Sequence, residues 1–350
     1  MPETELLVHY KFNFTLVFIL SLSSIIYCQK YPDKNVDSLL NRGINFIINQ
    51  NYKSAEKNFE ELDNSYPNLP FGKIYLAASE IAKSYDYNLE FNDDLITKYL
   101  ESAINESDSL LNDNDQNVWN IYFDALSKGY YAYYQALNRN WFSAISNGFD
   151  AVEEFQKCLN KDSLFYDAYT AIGNYEYWKS RKAGWLPFVS DYSVEGIKFI
   201  KKAVNNPGYN NYLAVYSLQW IYIDQKKYND VVKLSNPVIE KYPESRFFKW
   251  ALARAYEEID KKKSVKIYYE ILNSYLKINE LSKFHEILLK HLIAQQYEQM
   301  REFDKALTLC NEILTIDYNS SWNRDRLDRR LERVKKLKKK VLNEIGNKIN

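Results

Sequence analysis

The chain has 350 residues, a length that fits two or three domains or one elongated array. With 46% hydrophobic and 26% charged residues it can bury a core and is not intrinsically disordered, and 9 Gly and 8 Pro exclude a collagen-like chain and argue against a many-stranded β fold. Lys plus Arg and Asp plus Glu balance at 46 each, so no global charge favours a nucleic-acid partner, while 31 Tyr, 18 Phe and 7 Trp are more aromatics than a small solvated helix bundle needs.

The run Phe12 to Tyr27 is apolar or small and uncharged, preceded by Lys11 and broken by Gln29, Lys30 and Pro32. At 16 residues it falls short of the roughly 20 that span a bilayer as a helix. Residues 1–28 therefore read as a secretory signal peptide, with cleavage after Cys28, and the alternative is an uncleaved N-terminal membrane anchor. Cys28 also allows lipidation, although Tyr27 is bulky for the residue before a lipidated cysteine. Cys158 and Cys310 fall on apolar helix faces, too far apart to pair, and read as small hydrophobes.

From Val36 onward the apolar periodicity is helical, and it repeats. Gly43 and Phe46 are followed by Tyr52, Ala55, Phe59 and Pro67. Small residues at these steps let two antiparallel helices approach, aromatics fill the space between them, and proline stops the second helix. The phasing returns at Ala132, Trp141 and Ala144, at Gly173 with Ile200 and Ala203, and at Tyr222, Tyr228 and Pro243. It returns again at Ala253, Tyr256 and Tyr269, and at Ala294, Tyr297, Phe303 and Ala306, with a weaker pair marked by Ala77, Leu100 and Ala103. Over residues 36–318 the chain thus resembles the tetratricopeptide repeat (TPR) family, in the form of its exported bacterial members. The expected fold is all-α, a right-handed solenoid of six or seven helix pairs. Residues 319–350 form the closing segment, where Leu327, Leu331, Val334, Leu337, Val341 and Ile345 make the stripe of an amphipathic capping helix. From Arg324 to Lys340 it carries ten basic and three acidic residues, either a solvated outer face or a contact for an anionic membrane surface or partner.

Nothing in the chain spells catalysis. His9 lies in the N-terminal apolar region, and HEILLKH sets His285 and His291 six apart, not the four that place two ligands on one helical face. No enzyme activity, cofactor or metal site is expected. What the resemblance implies is binding in a concave groove lined by the first helix of each pair. Carrying the phasing over gives Tyr133, then Asn174 and Tyr177, then Tyr216 and Trp220, then Phe247, Trp250, Arg254 and Glu257, then His291, Gln295 and Glu298. This lining lacks the clustered Lys and Arg with which some TPR domains clamp a terminal carboxylate. Between Tyr177 and Asp191 the sequence YWKSRKAGWLPFVSD stands where a short turn belongs, and Trp178, Trp185 and Phe188 make it either a binding loop or an internal plug.

The sequence therefore points to a non-catalytic scaffold for a protein or peptide partner in the bacterial cell envelope, periplasmic or outer-membrane associated. An outer-membrane glycan- or nutrient-binding protein and a helper in outer-membrane protein assembly are the alternatives. Nucleic acid is not an expected partner.

Overall fold

A computed structural model describes residues 29–185, 190–206, 208–278, 283–318 and 322–349. The expected signal peptide or anchor, Cys28 and Phe188 lie outside the described residues. Among the described residues the fold is all-α. The fifteen helices are α1 (Lys34–Ile48), α2 (Tyr52–Ser65), α3 (Phe71–Tyr87), α4 (Asp93–Asp113), α5 (Val118–Leu137), α6 (Trp141–Lys161), α7 (Tyr166–Ala183), α8 (Ser193–Asn205), α9 (Asn211–Asp224), α10 (Tyr228–Lys241), α11 (Arg246–Ile259), α12 (Lys261–Leu276), α13 (Lys283–Gln299), α14 (Phe303–Thr315) and α15 (Arg324–Ile349). Each packs on the next, and α1 also packs beside α3, α3 beside α5, α7 beside α9 and α9 beside α11. The odd-numbered helices thus form the inner layer of a TPR-like solenoid and the even-numbered helices the outer one. No described helix is long and apolar enough to cross a membrane.

The hairpins follow from local chemistry. Asn51, Asn92 and Asp260 cap α2, α4 and α12 through their side-chain oxygens, which satisfy backbone N–H groups of the first turn. Gln50, Asn88, Arg139, Lys226 and Arg301 take a left-handed conformation just after the first helix of their pairs. None is glycine, so low glycine content did not prevent tight hairpins. Close approach of the paired helices does use glycine. A Cβ on Gly43 would lie 2.3 Å from the Phe59 ring, and Gly173 faces Gly196 so tightly that a Cβ on either would sit 2.7 Å from the other's carbonyl oxygen. Ala55, Ala253, Ala294 and Ala306 are fully buried, as is Phe59. Tyr52, Tyr222 and Phe303 are also buried, Phe46, Tyr228, Tyr256 and Tyr297 are half-buried, and Pro67 and Pro243 are exposed after their helices.

The aromatic surplus fills the inside of the superhelix. Tyr31, leading into α1, packs edge-on against Phe71 (5.6 Å) and Trp119 (5.1 Å), and Tyr122 packs on Phe165 (4.8 Å). Beneath them Asp167 accepts from the Tyr122 hydroxyl (3.0 Å), the Asn210 and Tyr209 amides (2.9 and 3.2 Å) and Gln29 Nε2 (3.4 Å). Burial pushes the Asp167 carboxyl up to about 6, against the pull of these hydrogen bonds. This plug ties the lead into α1 to α3, α5, α7 and the start of α9. Elsewhere the array winds back on itself: Gln50 Oε1 accepts from the Arg246 amide (3.0 Å), and Asn323 Nδ2 donates to Asn88 (2.9 Å).

Two expectations need correction. The first part of the expected loop, residues 177–183, is helix, because α7 continues through Ala183 and is sealed by the Gly184 amide bonding to the Ser180 carbonyl. Tyr177 is core rather than groove: it is fully buried, and its hydroxyl donates to Asp224 at 2.6 Å. At the C-terminal end α15 buries Leu327, Val334, Leu337 and Val341 in the cluster that also holds Ala294, Phe303 and Cys310.

Candidate functional site

Where the plug ends, the concave face opens into a cavity of about 890 Å³. Four of the groove residues expected from the repeat phasing meet there: Tyr216 and Trp220 from α9, Phe247 and Trp250 from α11. Tyr216 is edge-on to both Trp220 (6.2 Å) and Phe247 (6.1 Å). The facing wall comes from residues that the phasing does not select. Tyr85 and Asp86 end α3, Asn88, Leu89 and Phe91 follow it, and Asn138 and Arg139 turn between α5 and α6. The third side is Phe284, His285 and Leu288 of α13, with Trp322 and the start of α15 through Arg326.

The cavity is aromatic with a charged margin. Burial raises the phenols of Tyr216 and Tyr275 well above their ordinary range, so both stay protonated and act as hydrogen-bonding groups. His285 stacks on Tyr275 (4.2 Å between ring centres), and burial brings it down to about 4, so it is neutral near pH 7. Asp86 is neutralised by Arg246. The arrangement offers flat stacking surfaces, amides from Asn88 and Asn138, and the cations Arg139, Arg324 and Arg326.

The remaining candidates scatter. Tyr133 is half-exposed on α5. Asn174 ties α7 to α9 through Ser217 Oγ (3.0 Å). Trp178 packs edge-on to Tyr177 (5.0 Å) with the Lys182 ammonium over its ring, and it does not line the cavity. Trp185 is 80% exposed in the turn after α7. Arg254 pairs with Glu257 (2.7 Å), which is itself buried and accepts from the Tyr268 hydroxyl (2.6 Å). His291 is buried beside Arg330. Phe142 on α6 is 92% exposed on the outer layer. Among the described residues no group of three or more His, Cys, Asp or Glu comes together as a metal site, and the Cys158 and Cys310 thiols are buried, the latter raised to about 11 by burial.

No protein-family model and no curated protein matches the chain. Solved structures do resemble it. The C-terminal part of a TPR repeat-containing protein from Cytophaga hutchinsonii shares 19% identity at a TM-score of 0.41, over 81% of this chain and 96% of that one. A tetratricopeptide repeat protein from Parabacteroides merdae shares 13% at 0.35, over 89% of this chain and 100% of that one. A human IFIT1 dimer with PPP-AAAA shares 12% at 0.41, over 84% and 74%.

Proposed function

We propose that the chain is a non-catalytic scaffold that binds a protein or peptide partner in the cavity between α3, α9, α11 and α13. The observation that carries this reading is the convergence of Tyr216, Trp220, Phe247 and Trp250 on one open space, while other aromatics such as Phe71, Tyr122 and Phe165 are buried against one another. Aromatic side chains give large contact area at low entropic cost and dominate interface hot spots. The phenols and His285, held in their neutral forms, suit recognition better than proton transfer at neutral pH. A photo-crosslinking residue placed at Trp220, with Phe142 on the outer layer as control, tests the reading in native cells. Discrete protein adducts from position 220 alone are expected. No adduct, or the same adducts from both positions, would sink it.

The proposal extends to export into the cell envelope, supported by the apolar run 12–27 and its polar break. Intact mass of the native protein tests that part, since retention of residues 1–28 would defeat cleavage. A glycan ligand is the second reading, favoured by Trp220, Trp250 and Trp322 lining one cavity with Asn88 and Asn138. Retardation in gels cast with soluble polysaccharide would select it over the peptide.

A further inference from the structure

The capping helix does more than cover the last repeat. Three of its cations are paired: Arg324 with Asp328 (3.1 Å), Lys335 with Glu332 (2.7 Å) and, across to α13, Lys340 with Glu298 (2.7 Å). Arg326, Arg330 and Arg333 recur at four- and three-residue steps on the face turned to α13, and among the described residues none of them forms an ion pair. Arg326 lies over the Phe284 ring (5.5 Å) at the edge of the cavity. The half-buried Arg330 donates through Nη1 to His291 Nδ1 (3.1 Å), a neutral acceptor in place of a carboxylate. Arg254 of α11 bears on the same guanidinium, and its own carboxylate, Glu257, is shared with Tyr268. Burial, and after it the neighbouring Arg333, Arg326 and Arg254, bring Arg330 down to about 10.

We propose that Arg326, Arg330 and Arg333, with Arg254, form a subsite for an oxyanion carried by the peptide whose apolar side chains fill the adjoining cavity, an inference that rests on the peptide-binding reading above. The oxyanion is a side-chain carboxylate or a phosphoester; guanidinium groups take either through paired N–H donors. A nucleic-acid backbone is disfavoured because it needs cations along its whole path. Here all but Arg139, on the facing wall, cluster at one end, and the lining between is aromatic and amide, with Asp86 and Asp325 at its margin.

Anisotropy of three fluorescein-labelled peptides with the full chain tests this: Phe-Glu-Tyr-Glu-Leu-Glu-Phe, the same peptide with Gln for Glu, and the same with phosphoserine for Glu. The Glu peptide should bind at least about tenfold more tightly than the Gln peptide at low salt, a gap of about 1.4 kcal/mol. In Arg326→Gln/Arg333→Gln, which alters only exposed side chains, the ratio of the Glu- to Gln-peptide affinities measured on the same variant should fall to about twofold. Tighter binding of the phosphoserine peptide assigns the oxyanion to a phosphoester, and equal or weaker binding to a carboxylate. Equal affinity of the Glu and Gln peptides overturns the subsite and leaves the cavity reading intact. Failure of all three to bind overturns both, and displacement of the Glu peptide by an equimolar oligonucleotide overturns the choice of a peptide.

Discussion

Asp86 at the end of α3 and Arg246 at the start of α11 form an ion pair buried where the array meets itself, with side chains 5% and 7% exposed. Arg246 Nε donates to Asp86 Oδ1 at 3.1 Å across 160 residues of sequence, and the Tyr275 and Tyr52 hydroxyls donate to the same carboxylate at 2.8 and 3.1 Å. Most of a solenoid's contacts are between neighbours, so a distant pair such as this one decides whether the two ends stay together.

Removing one partner strands a buried charge. Arg246→Met or Asp86→Leu should each cost about 3–5 kcal/mol, whereas the double variant should recover at least half of the loss, because an apolar pair carries no desolvation penalty. Urea melts of the three variants decide. Single losses below about 1 kcal/mol would mean that the ends separate freely in solution.

Asp167 makes a pH prediction of definite sign. Its carboxyl titrates near 6 in the folded chain and near 4 when unfolded, so between these values the folded chain holds a proton that the unfolded chain has lost. Stability from this group is complete below pH 4 and declines as pH rises to about 6, by about 3 kcal/mol in all. The stability difference between the parent and Asp167→Asn should fall by that amount between pH 4 and 6.5 and stay flat above. A difference independent of pH would show that Asp167 is not buried as described.

What was legible in the sequence is what short-range spacing carries. Gly43, Ala55 and Phe59 announce a helix pair because all three act within one hairpin. Tyr216, Trp220, Phe247 and Trp250 come to line one cavity because α9 and α11 keep the phase read from the repeat. Tyr177 does not, because its hydroxyl reaches Asp224 in the next pair and draws the ring into the core. Asp86 and Arg246 each look like a solvated helix charge until the array closes. The same closure delivers Phe91, Arg139, Trp322 and Arg326 to the cavity from turns and a helix start, where repeat phasing says nothing. Gly196 went unread for a related reason: a glycine opposite a glycine shows only once α7 and α8 are paired.

That pairing is testable in its own right. A Cβ on Gly196 would lie 2.7 Å from the Gly173 carbonyl oxygen and 2.8 Å from the Tyr177 amide nitrogen, both backbone atoms that cannot swing aside. Gly196→Ala should therefore force α7 and α8 apart and cost about 1–3 kcal/mol, despite adding one methyl to a helix. Alanine normally favours a helix over glycine by about 1 kcal/mol, so a stabilised variant in thermal melts would sink the close approach.

Trp185 and Trp220 separate stability from recognition. The sequence placed Trp185 in a binding loop or internal plug and Trp220 in the groove, but only Trp220 lines the cavity; Trp185 stands 80% exposed beyond α7. Trp185→Ala should leave stability within about 0.5 kcal/mol, as exposed substitutions do. Trp220 is half-buried, with its ring edge-on to Tyr216, so Trp220→Ala should cost less than the roughly 3–5 kcal/mol of a fully buried tryptophan. Binding should show the opposite contrast. Loss of the Trp220 platform should weaken the Glu peptide at least about tenfold, and loss of Trp185 should not change it. Chemical melts and anisotropy on the two variants give four numbers. Weakened binding in Trp185→Ala with Trp220→Ala unaffected would move the recognition surface out of the cavity and onto the turn after α7.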